Sequence, residues 1–342
     1  MAPALACGNT IVLKPPHQTP HSTLHLTHLL STTSIPQGVI NVLPGDAQTG
    51  AALVTNPLID KISFTGSTAV GSVIARQAAS SPTGPKPCTM ELGGKAPMIV
   101  CDDADLERAV DDVVGAAFSN AGQNCCAGTR LYLQEGVHDE FLRLLKGKVE
   151  ALVVGDHLEE ETDMGPLVNE NQMDKILHHI ETAKKQNVGN LLTGGHRLGE
   201  SGYFVAPTGK IHIAEEGLPA KTIYFSAFHT VFYDVSDTAQ IAQEEIFGPV
   251  LTVLKPFKTI EEAIERANAS QYGLAAGIWS ENRRTLDMAS KGIRAGIVWM
   301  NCYNMTPPSI PVGGRKGSGY GKDQGFEAVD QYTFVKAVMS RT

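Results

Sequence analysis

Short apolar runs rich in β-branched residues alternate with helical patterns through the first hundred residues. The runs predict strands at residues 10–13, 39–43, 61–64 and 97–100, and the patterns between them predict helices at 22–30, 49–55 and 70–79. The apolar runs are nearly continuous, which is typical of parallel strands that are buried on both faces. This alternation predicts a doubly wound α/β domain with helices on both sides of its sheet.

A second set of alternating patterns predicts a second α/β unit. Its strands and helices are expected at residues 138–152, 172–186, 250–254, 259–268, 283–290 and 296–301. Between the two sets, a helix predicted at 106–118, with Asp102 or Asp103 as its N-cap, leads into a turn that contains Cys125. Residues 334–339 predict an exposed strand, and such an edge usually pairs with a partner.

Composition and charge narrow the class of protein. The chain has 342 residues, 42% of them hydrophobic, which is enough for a soluble protein with a substantial core. A net charge of −8 without a basic block argues against nucleic acid or an anionic membrane surface as a partner and favours a small-molecule substrate. No apolar run approaches the roughly 20 residues of a membrane helix, and the first residues lack the basic start of a signal peptide. The cysteine usage favours a cytoplasmic protein, and the compartment stays open because a targeting segment would precede the first residue of this chain. The six cysteines lack CxxC spacing, which predicts reduced thiols and no metal site.

Two residues, Glu91 and Cys125, could supply a base and a nucleophile. Glu91 lies in Met-Glu-Leu-Gly-Gly-Lys (90–95), and Cys125 follows 34 residues later in Gly-Gln-Asn-Cys-Cys (122–126). A thiolate can add to a carbonyl carbon, and a carboxylate can then activate water against the resulting thioester. The alternatives are a buried, inert cysteine and a solvated or helix-capping glutamate. The two glycines after Glu91 make a cap the weaker alternative, because they open a loop that a ligand can approach closely.

The turn from Gly66 to Gly71 follows a predicted strand and opens a predicted helix. Its free N–H groups and the positive end of the helix dipole can hold a pyrophosphate. The turn does not match GxGxxG, and by itself it is more often only the start of a helix. Its position upstream of Glu91 favours the phosphate-binding interpretation.

From about residue 3 to about residue 333, the chain resembles the NAD(P)-dependent aldehyde dehydrogenase superfamily. The resemblance is carried, in order, by Phe-Thr-Gly-Ser-Thr (64–68), Glu-Leu-Gly-Gly-Lys (91–95), Gly-Gln-Asn-Cys (122–125), Glu-Glu-Ile-Phe-Gly-Pro (244–249) and Pro-Val-Gly-Gly (311–314). Chance agreement at five ordered sites is negligible. The resemblance implies an α/β, aldehyde dehydrogenase-like fold. A partial Rossmann-type cofactor domain is expected at 1–93, a second α/β catalytic domain at 94–317, and a C-terminal return with an oligomerisation strand at 318–342.

The resemblance also implies a reaction, the oxidation of an aldehyde to a carboxylic acid with NAD or NADP. Cys125 would form a thiohemiacetal and, after hydride transfer, a thioester, and Glu91 would direct water at that thioester. Because the acylating branch of the family typically lacks this glutamate, Glu91 favours a free acid over transfer to coenzyme A. Cys126 would either pack or trap an oxidised Cys125 as a disulfide. The full-length relatives imply a homo-oligomer, a dimer or a tetramer.

Cofactor binding is assigned by the resemblance to residues along the whole chain: Lys14, His17, Gly66, Ser67, Gly71, Leu92, Glu245 and Phe247. Lys14 corresponds to a lysine on the adenine-side ribose and Glu245 to a carboxylate on the nicotinamide ribose, with Phe247 beside the ring. His17 stands where NAD-preferring relatives commonly have a glutamate that repels a 2′-phosphate. We therefore expect relaxed selectivity between NAD and NADP.

Two features depart from the family pattern. The chain begins where relatives are in the middle of the cofactor domain, so the resemblance implies that well over a hundred residues are missing. Among them is a Pro-Trp-Asn segment whose asparagine helps to hold the oxyanion, and losing one such donor typically slows a reaction by about a hundred- to a thousandfold. Residues 209–230 interrupt a stretch that is nearly continuous in relatives, which indicates a retained intron, a gene-model artefact or a surface loop. The alternative function is therefore a catalytically impaired fragment or pseudo-enzyme of the same family.

Overall fold

The computed structural model describes residues 1–197, Tyr203 and 229–341. The elements before residue 93 are α1 (Ala2–Ala6), β1 (Ile11–Leu13), α2 (His21–Ser31), β2 (Ile40–Val42), α3 (Ala47–Thr55), β3 (Ile62–Thr65), α4 (Thr68–Ala79) and β4 (Cys88–Glu91). Those from residue 93 to the middle of the second unit are β5 (Ala96–Val100), α5 (Leu106–Phe118), β6 (Gly128–Leu133), α6 (His138–Ala151), α7 (Glu170–Lys185) and β7 (Asn190–Thr193). The remainder are β8 (Thr230–Val235), α8 (Gln240–Gln243), β9 (Val250–Leu254), α9 (Ile260–Asn268), β10 (Ala275–Trp279), α10 (Arg283–Gly292), β11 (Ile297–Met300), β12 (Gly319–Tyr320) and α11 (Glu327–Asp330).

The chain divides into two compact units. The first contains residues 1–92, 306–314 and those from 319 onward, and the second contains residues 93–305 and 315–318. The predicted insertion at 209–230 lies outside the described residues except for its last two, of which Thr230 begins β8.

Strands in the first unit form two small sheets. β1 and β2 pair in parallel, and β4 pairs in parallel with β3 and antiparallel with β12. Helices alternate with these strands as the apolar pattern predicts, and Val54, Ile62 and Ala78 form a small core between them. The prediction that the strands are buried on both faces is wrong for β1 and β2, because Val12 stays 39% exposed and α2 contains no buried residue. Two strands and one amphipathic helix offer too little apolar surface to enclose both faces of a sheet.

The second unit is built on one large sheet. Among the described residues, its seven strands follow the order β11-β10-β5-β6-β9-β8-β7, and all neighbours are parallel except the antiparallel pair β7 and β8. Successive residues of β5 belong to different cores, since Met98 and Val100 pack in one apolar cluster and Ile99 in another. The sheet is therefore covered on both faces. This arrangement confirms the α/β class, and it places the strand predicted at 97–100 in the second unit.

The start of α5 differs from the prediction. Neither Asp102 nor Asp103 caps the helix, because Asp105 accepts the hydrogen bond from the N–H of Arg108 at 3.2 Å. Asp103 instead accepts hydrogen bonds from the hydroxyl of Ser280 at 2.8 Å and from the N–H of Asn282 at 2.9 Å. The carboxylate nearest the first turn can reach its N–H groups, whereas Asp103 is positioned by a contact distant in sequence.

Residues 334–339 do not form the predicted strand. Their large apolar side chains are more than 80% exposed, and a strand requires a second backbone for its hydrogen bonds. Within the described residues, no helix is long and apolar enough to span a membrane. The same residues contain no cluster of side chains suited to a metal ion, and the six cysteines, all of them described, are free thiols.

Candidate active site

The loop that carries Cys125 is shaped by a tight reversal at the end of α5. The chain passes through a single 3₁₀ turn, Ser119–Gly122, in which Asn120 and Ala121 both have a φ of 55°. A side chain at Gly122, which also has a positive φ of 66°, would overlap the carbonyl of Gly248. Only glycine fits this close approach without strain. The reversal therefore packs the Gly-Gln-Asn-Cys block against the Glu-Glu-Ile-Phe-Gly-Pro block.

Cys125 itself lies in a turn that is held by several hydrogen bonds. The N–H of Ala127 donates to the carbonyl of Asn124 at 3.0 Å, and the side-chain oxygen of Asn124 accepts from the N–H of Cys126 at 3.0 Å. The phenol of Tyr303 donates to the carbonyl of Cys126 at 2.8 Å. The turn is thus fixed both by its own residues and by a residue far along the chain.

The electrostatic environment lowers the pKa of the Cys125 thiol from 9.0 to about 7. The largest cause is the hydrogen bond from the Cys126 thiol, supported by the backbone N–H groups of both cysteines, while burial and the nearby Glu245 act in the opposite direction. By contrast, burial raises the pKa of Cys88, of Cys302 and of Cys101, which reaches about 12. Because the thiolate is the reactive form, this geometry favours Cys125 as a nucleophile near neutral pH.

Gly93 and Gly94 separate Cys125 from the carboxylate of Glu245. The N–H of Gly94 donates to Oε1 of Glu245 at 2.9 Å. A Cβ atom at Gly93 would overlap the Glu245 carboxylate, and one at Gly94 would overlap the carbonyl oxygen of Cys125. Burial raises the pKa of Glu245, whereas the Gly94 N–H, Lys175 and Lys95 lower it. The structure therefore brings Glu245 and Cys125 to the two sides of one glycine pair.

Lys95, the last residue of the Glu-Leu-Gly-Gly-Lys block, was not singled out from the sequence. Its side chain is 2% exposed, and its ammonium group has no hydrogen-bond partner among the residues that the structure describes. Burial, followed by the charge of Arg130, lowers the pKa of Lys95 to about 7, although Glu245 and Glu244 oppose this shift. Lys95 and Arg130 also line a cavity of about 10 Å³, room for about one water molecule. The position of Lys95 directly after the two glycines of the motif was the signal that could have identified this residue.

Two residues of α7 support the loop that contains Glu245, and sequence reasoning missed both. The side-chain amide of Gln172 donates to the carbonyls of Ile246 and Phe247, each at 2.9 Å. The ammonium of Lys175 donates to the carbonyl of Glu245 at 3.1 Å. Gln172 and Lys175 are three residues apart, so they share one face of the helix, and this spacing was the available signal. Phe247, with a φ of 58°, remains 37% exposed beside them.

In the first unit, Glu91 ends β4 and is buried, with 8% of its surface exposed. Its carbonyl accepts from the N–H of Gly66 at 3.0 Å, which ties Glu91 to the turn before α4. A Cβ atom at Gly313 would lie 2.9 Å from Oε1 of Glu91, so the carboxylate faces bare backbone there. The carboxylate of the Glu-Leu-Gly-Gly-Lys block (91–95) therefore fits because the Pro-Val-Gly-Gly block (311–314) places a glycine beside it.

The turn before α4 brings four of the predicted cofactor residues together at the carboxyl ends of β3 and β4. Ser67 caps the helix by accepting from the N–H of Val70 at 3.3 Å, and both Gly66 and Ser67 are exposed. Gly71 is buried because its missing side chain makes room for Leu92. The structure thus gives Gly71 and Leu92 a packing contact and leaves the N-terminus of the helix open to a ligand.

Lys14 and His17 follow β1 and therefore belong to the other small sheet of the first unit. The ammonium of Lys14 donates to the carbonyl of Pro15 at 2.9 Å and to that of Gly45 at 3.1 Å. His17 is exposed. Lys14 is consequently held by backbone rather than left in solvent, which was the alternative for a lysine after a strand.

Comparisons with known proteins agree with this geometry. The model of the aldehyde dehydrogenase family matches residues 1–338. The chain is 43% identical to aldehyde dehydrogenase 1 of Tanacetum cinerariifolium, covering 99% of this chain and 63% of that protein. It is 41% identical to the mitochondrial aldehyde dehydrogenase of Homo sapiens, covering 99% and 60%.

A solved structure of the aldehyde dehydrogenase of Bacillus cereus in complex with NAD⁺ is 42% identical to this chain. It superposes with a TM-score of 0.89 over 99% of this chain and 64% of the other. The α/β, aldehyde dehydrogenase-like fold is thereby confirmed, and the chain spans about three fifths of the length of the curated relatives named above, 63% and 60%. The chain belongs to the aldehyde dehydrogenase family.

Proposed function

We propose that this protein oxidises an aldehyde to a carboxylic acid with NAD or NADP. The observation that carries the proposal is the Cys125 turn, which lowers the pKa of the thiol to about 7 and thereby supplies a nucleophile. We assign most of the cofactor contacts to residues 1–93 and the nucleophile to residues 94–317, with residues 318–342 returning to the first unit.

Each step uses a named side chain. The Cys125 thiolate adds to the carbonyl carbon of the aldehyde and forms a thiohemiacetal, with the negative charge on the former carbonyl oxygen. NAD or NADP, when bound, would supply the acceptor for the hydride of this carbon, and loss of that hydride leaves a thioester on Cys125. Glu91 takes a proton from water, which attacks the thioester and releases the carboxylic acid and the Cys125 thiolate.

The residues present fit a dinucleotide. The exposed N-terminus of the twelve-residue helix α4 offers N–H groups and a positive dipole end at Gly66 and Ser67, as a pyrophosphate requires. Glu245 presents a carboxylate that can accept from ribose hydroxyls, and the exposed Phe247 offers an apolar surface to a ring. The neighbour from Bacillus cereus, solved as an NAD⁺ complex, supports the same cofactor class. We assign the remaining contacts to Lys14, His17, Gly71 and Leu92.

The decisive experiment measures NADH formation with benzaldehyde as the probe substrate. Cys125→Ser should abolish it, because an alcohol is a far weaker nucleophile at neutral pH. Glu91→Gln should retain one burst of NADH per Cys125 and then stall, because the thioester forms without being hydrolysed. Cys302→Ser, a change at another partly buried cysteine, is the control and should leave the rate unchanged. Full turnover by Cys125→Ser would refute the assignment.

Two further measurements separate the remaining alternatives. A catalytically impaired member of the family would bind NAD, seen as quenching of tryptophan fluorescence, without forming NADH from any aldehyde offered. The exposed apolar residues of α2 in the first unit are the observation that favours this second candidate. Acyl transfer would instead yield an acyl-coenzyme A, so identification of the product as free benzoic acid decides between hydrolysis and transfer.

Selectivity between NAD and NADP is a separate part of the proposal. His17 carries no carboxylate that could repel a 2′-phosphate, so the two cofactors should bind with dissociation constants within about tenfold of each other. His17→Glu should weaken NADP selectively, which titration of both cofactors against both variants would measure. NADP binding that is already far weaker than NAD binding in the unaltered protein would contradict this part.

A further inference from the structure

Tyr303 connects a rigid aromatic cluster to the turn that carries Cys125. Its ring stacks on Trp279, with centroids 6.2 Å apart and planes 12° apart, and it lies 4.4 Å from the ring of Trp299. Each tryptophan is fixed in turn, since Trp279 donates to Asp112 at 2.9 Å and Trp299 donates to the carbonyl of Met305 at 2.8 Å. The phenol oxygen of Tyr303 therefore has a fixed position.

The backbone beneath this cluster is adapted to hold the rings. A Cβ atom at Gly277 of β10 would lie 2.8 Å from both Trp279 and Tyr303, so a larger residue would displace them. Tyr303 is 8% exposed, and burial raises its pKa well above the ordinary value, followed by the charges of Cys126 and Cys125. The phenol consequently stays protonated and remains a hydrogen-bond donor through the neutral range.

The contact of Tyr303 with the turn is the hydrogen bond to the carbonyl of Cys126 at 2.8 Å. On the amino side of the same residue, the N–H of Cys126 is held by the side chain of Asn124 at 3.0 Å. The carbonyl of Cys126 and the N–H of Ala127 belong to one peptide group, and the N–H donates to the carbonyl of Asn124 at 3.0 Å, so this group is held at both ends and cannot rotate without breaking a bond. This matters for Cys125, because its thiolate is stabilised first by the thiol of Cys126 and then by the N–H groups of Cys125 and Cys126.

We propose that Tyr303 is a positioning residue for the nucleophile, and that its hydrogen bond to the Cys126 carbonyl keeps the backbone N–H groups of the turn directed at the sulfur of Cys125. The role rests on the proposed function, in which Cys125 is the nucleophile. The hydrogen bond of Tyr303 goes to the backbone of Cys126, so we assign Tyr303 an effect on Cys125 through the conformation of the turn and no role as a base.

The role of Tyr303 can be tested without changing the charged groups around Cys125. Within the second unit, the carboxylate of Glu245 raises the pKa of Cys125, and the thiol of Cys126 lowers it. Tyr303→Phe removes a neutral hydroxyl and alters neither of these groups. A change in the titration of Cys125 in this variant would therefore report the geometry of the turn.

The test follows alkylation of Cys125 by iodoacetamide as a function of pH, which requires neither cofactor nor substrate. Mass spectrometry of the tryptic peptide 109–130 distinguishes Cys125 from Cys126 by fragmentation between them. In the unaltered protein, the rate should rise with pH to a plateau with a midpoint near the pKa of about 7. In Tyr303→Phe the midpoint should move up by about one pH unit, which makes alkylation about tenfold slower below pH 6.

The matched control is Tyr132→Phe, the same chemical change at another fully buried phenol of the second unit. The hydroxyl of Tyr132 bonds to Asp237 at 3.2 Å and receives a bond from Arg130 at 3.1 Å, so this variant also loses buried hydrogen bonds. It should leave the midpoint of Cys125 unchanged. Equal midpoints in Tyr303→Phe and the unaltered protein, or equal shifts in both variants, would overturn the proposal.

A second variant keeps the test independent of how well Tyr303→Phe folds. Asn124→Ala removes the other side-chain hydrogen bond to Cys126 from a half-buried position and should shift the midpoint in the same direction. An unchanged midpoint in that variant would equally overturn the proposal. If the unaltered protein alkylates at Cys125 with the midpoint of an ordinary thiol, about 8.5, the nucleophile of the proposed function fails, and this inference fails with it.

Discussion

At the scale of single residues, the candidate site depends on two glycines as much as on its functional side chains. Gly93 and Gly94 allow the carboxylate of Glu245 and the carbonyl of Cys125 to approach one short backbone segment from two sides. A larger residue at Gly93 would have to move the hydrogen-bonded carboxylate of Glu245, and one at Gly94 would have to move the carbonyl of Cys125. The glycine pair is therefore a requirement of packing as well as a feature of the motif.

The first prediction concerns Gly94. Gly94→Ala should lower the free energy of unfolding by about 1–3 kcal/mol, because the added methyl group overlaps the carbonyl oxygen of Cys125. Aldehyde-dependent NADH formation should fall by about a hundredfold, since the nucleophile is displaced. Gly115→Ala in α5, where a Cβ atom meets no described atom within 4 Å, is the control and should be neutral or stabilising by up to about 1 kcal/mol. Urea titration of both variants checks the first effect, and equal stabilities would contradict it.

The second prediction concerns the buried ammonium of Lys95, whose pKa is lowered from 10.5 to about 7. The unfavourable effect of burying its charge is fully present below pH 7 and disappears as the pH rises towards the unfolded value near 10.4. Between these limits the unfolded chain binds the additional proton, so raising the pH stabilises the folded state. Lys95→Met removes this dependence.

The measurement for Lys95 is the slope of the unfolding free energy against pH, obtained from urea titrations. Between pH 7.5 and 10 the slope should be smaller in Lys95→Met than in the unaltered protein by up to about 1.4 kcal/mol per pH unit. Below pH 7 the two slopes should coincide. Lys291→Met, at an exposed position of α10, should show the slope of the unaltered protein. Parallel curves for Lys95→Met and the unaltered protein above pH 7.5 would show that the ammonium is not destabilised by burial.

At the scale of elements, helix ends position the functional loops. α5 is buried along the face formed by Ala109, Val113, Ala116 and Ala117, as its apolar periodicity predicts. Its N-terminus is fixed by Asp105 and its C-terminus by the reversal that leads to Cys125. Because α5 is packed in the core, it also fixes the start of the loop that carries Cys125.

The third prediction tests the cap of α5. Asp105→Ala should lower the free energy of unfolding by about 1 kcal/mol, because the N–H of Arg108 loses its acceptor. Asp102→Ala, at an exposed position just before the helix, should change stability by less than about 0.5 kcal/mol. Thermal or urea unfolding of the two variants provides the comparison. A larger loss in Asp102→Ala would restore the cap that the sequence predicts.

At the scale of the whole molecule, apolar surface remains at the C-terminal segment. Four side chains of residues 334–339 are almost fully exposed: Phe334 85%, Val335 102%, Val338 82% and Met339 94%. Apolar runs of this kind, with strand propensity and no backbone partner in the described chain, are suited to pairing with another copy. We therefore keep the prediction of a homo-oligomer that pairs through these residues.

The fourth prediction tests that association. Val335→Pro should weaken self-association at least tenfold, because proline removes a backbone donor and is excluded from paired strand interiors. Val335→Thr keeps the donor and a β-branched side chain, so it should associate like the unaltered protein. Sedimentation velocity over a range of concentrations measures both. Identical behaviour of the proline variant and the unaltered protein would exclude residues 334–339 as the interface.

The family, the α/β class and most elements could be predicted from the sequence, because each depends on residues that are close together in the chain. The sequence also singled out Cys125 as the candidate nucleophile, which stays a prediction. Apolar periodicity indicates which face of an element is buried, and a short motif such as Gly-Gln-Asn-Cys indicates a local turn and the candidate nucleophile within it. The same reasoning placed the cap of α5 two or three residues too early. It also predicted a strand at 334–339, since propensity does not reveal whether a backbone partner exists.

Only the tertiary structure identified the contacts that tune the candidate site. Tyr303 lies 177 residues after Cys126, and Lys175 reaches a carbonyl 70 residues away. The burial of Lys95 depends on elements that follow it by more than a hundred residues. Hydrogen bonds and burial act over a few ångströms in space, whatever the separation along the chain, so their partners are decided only when the sheet and its helices have assembled.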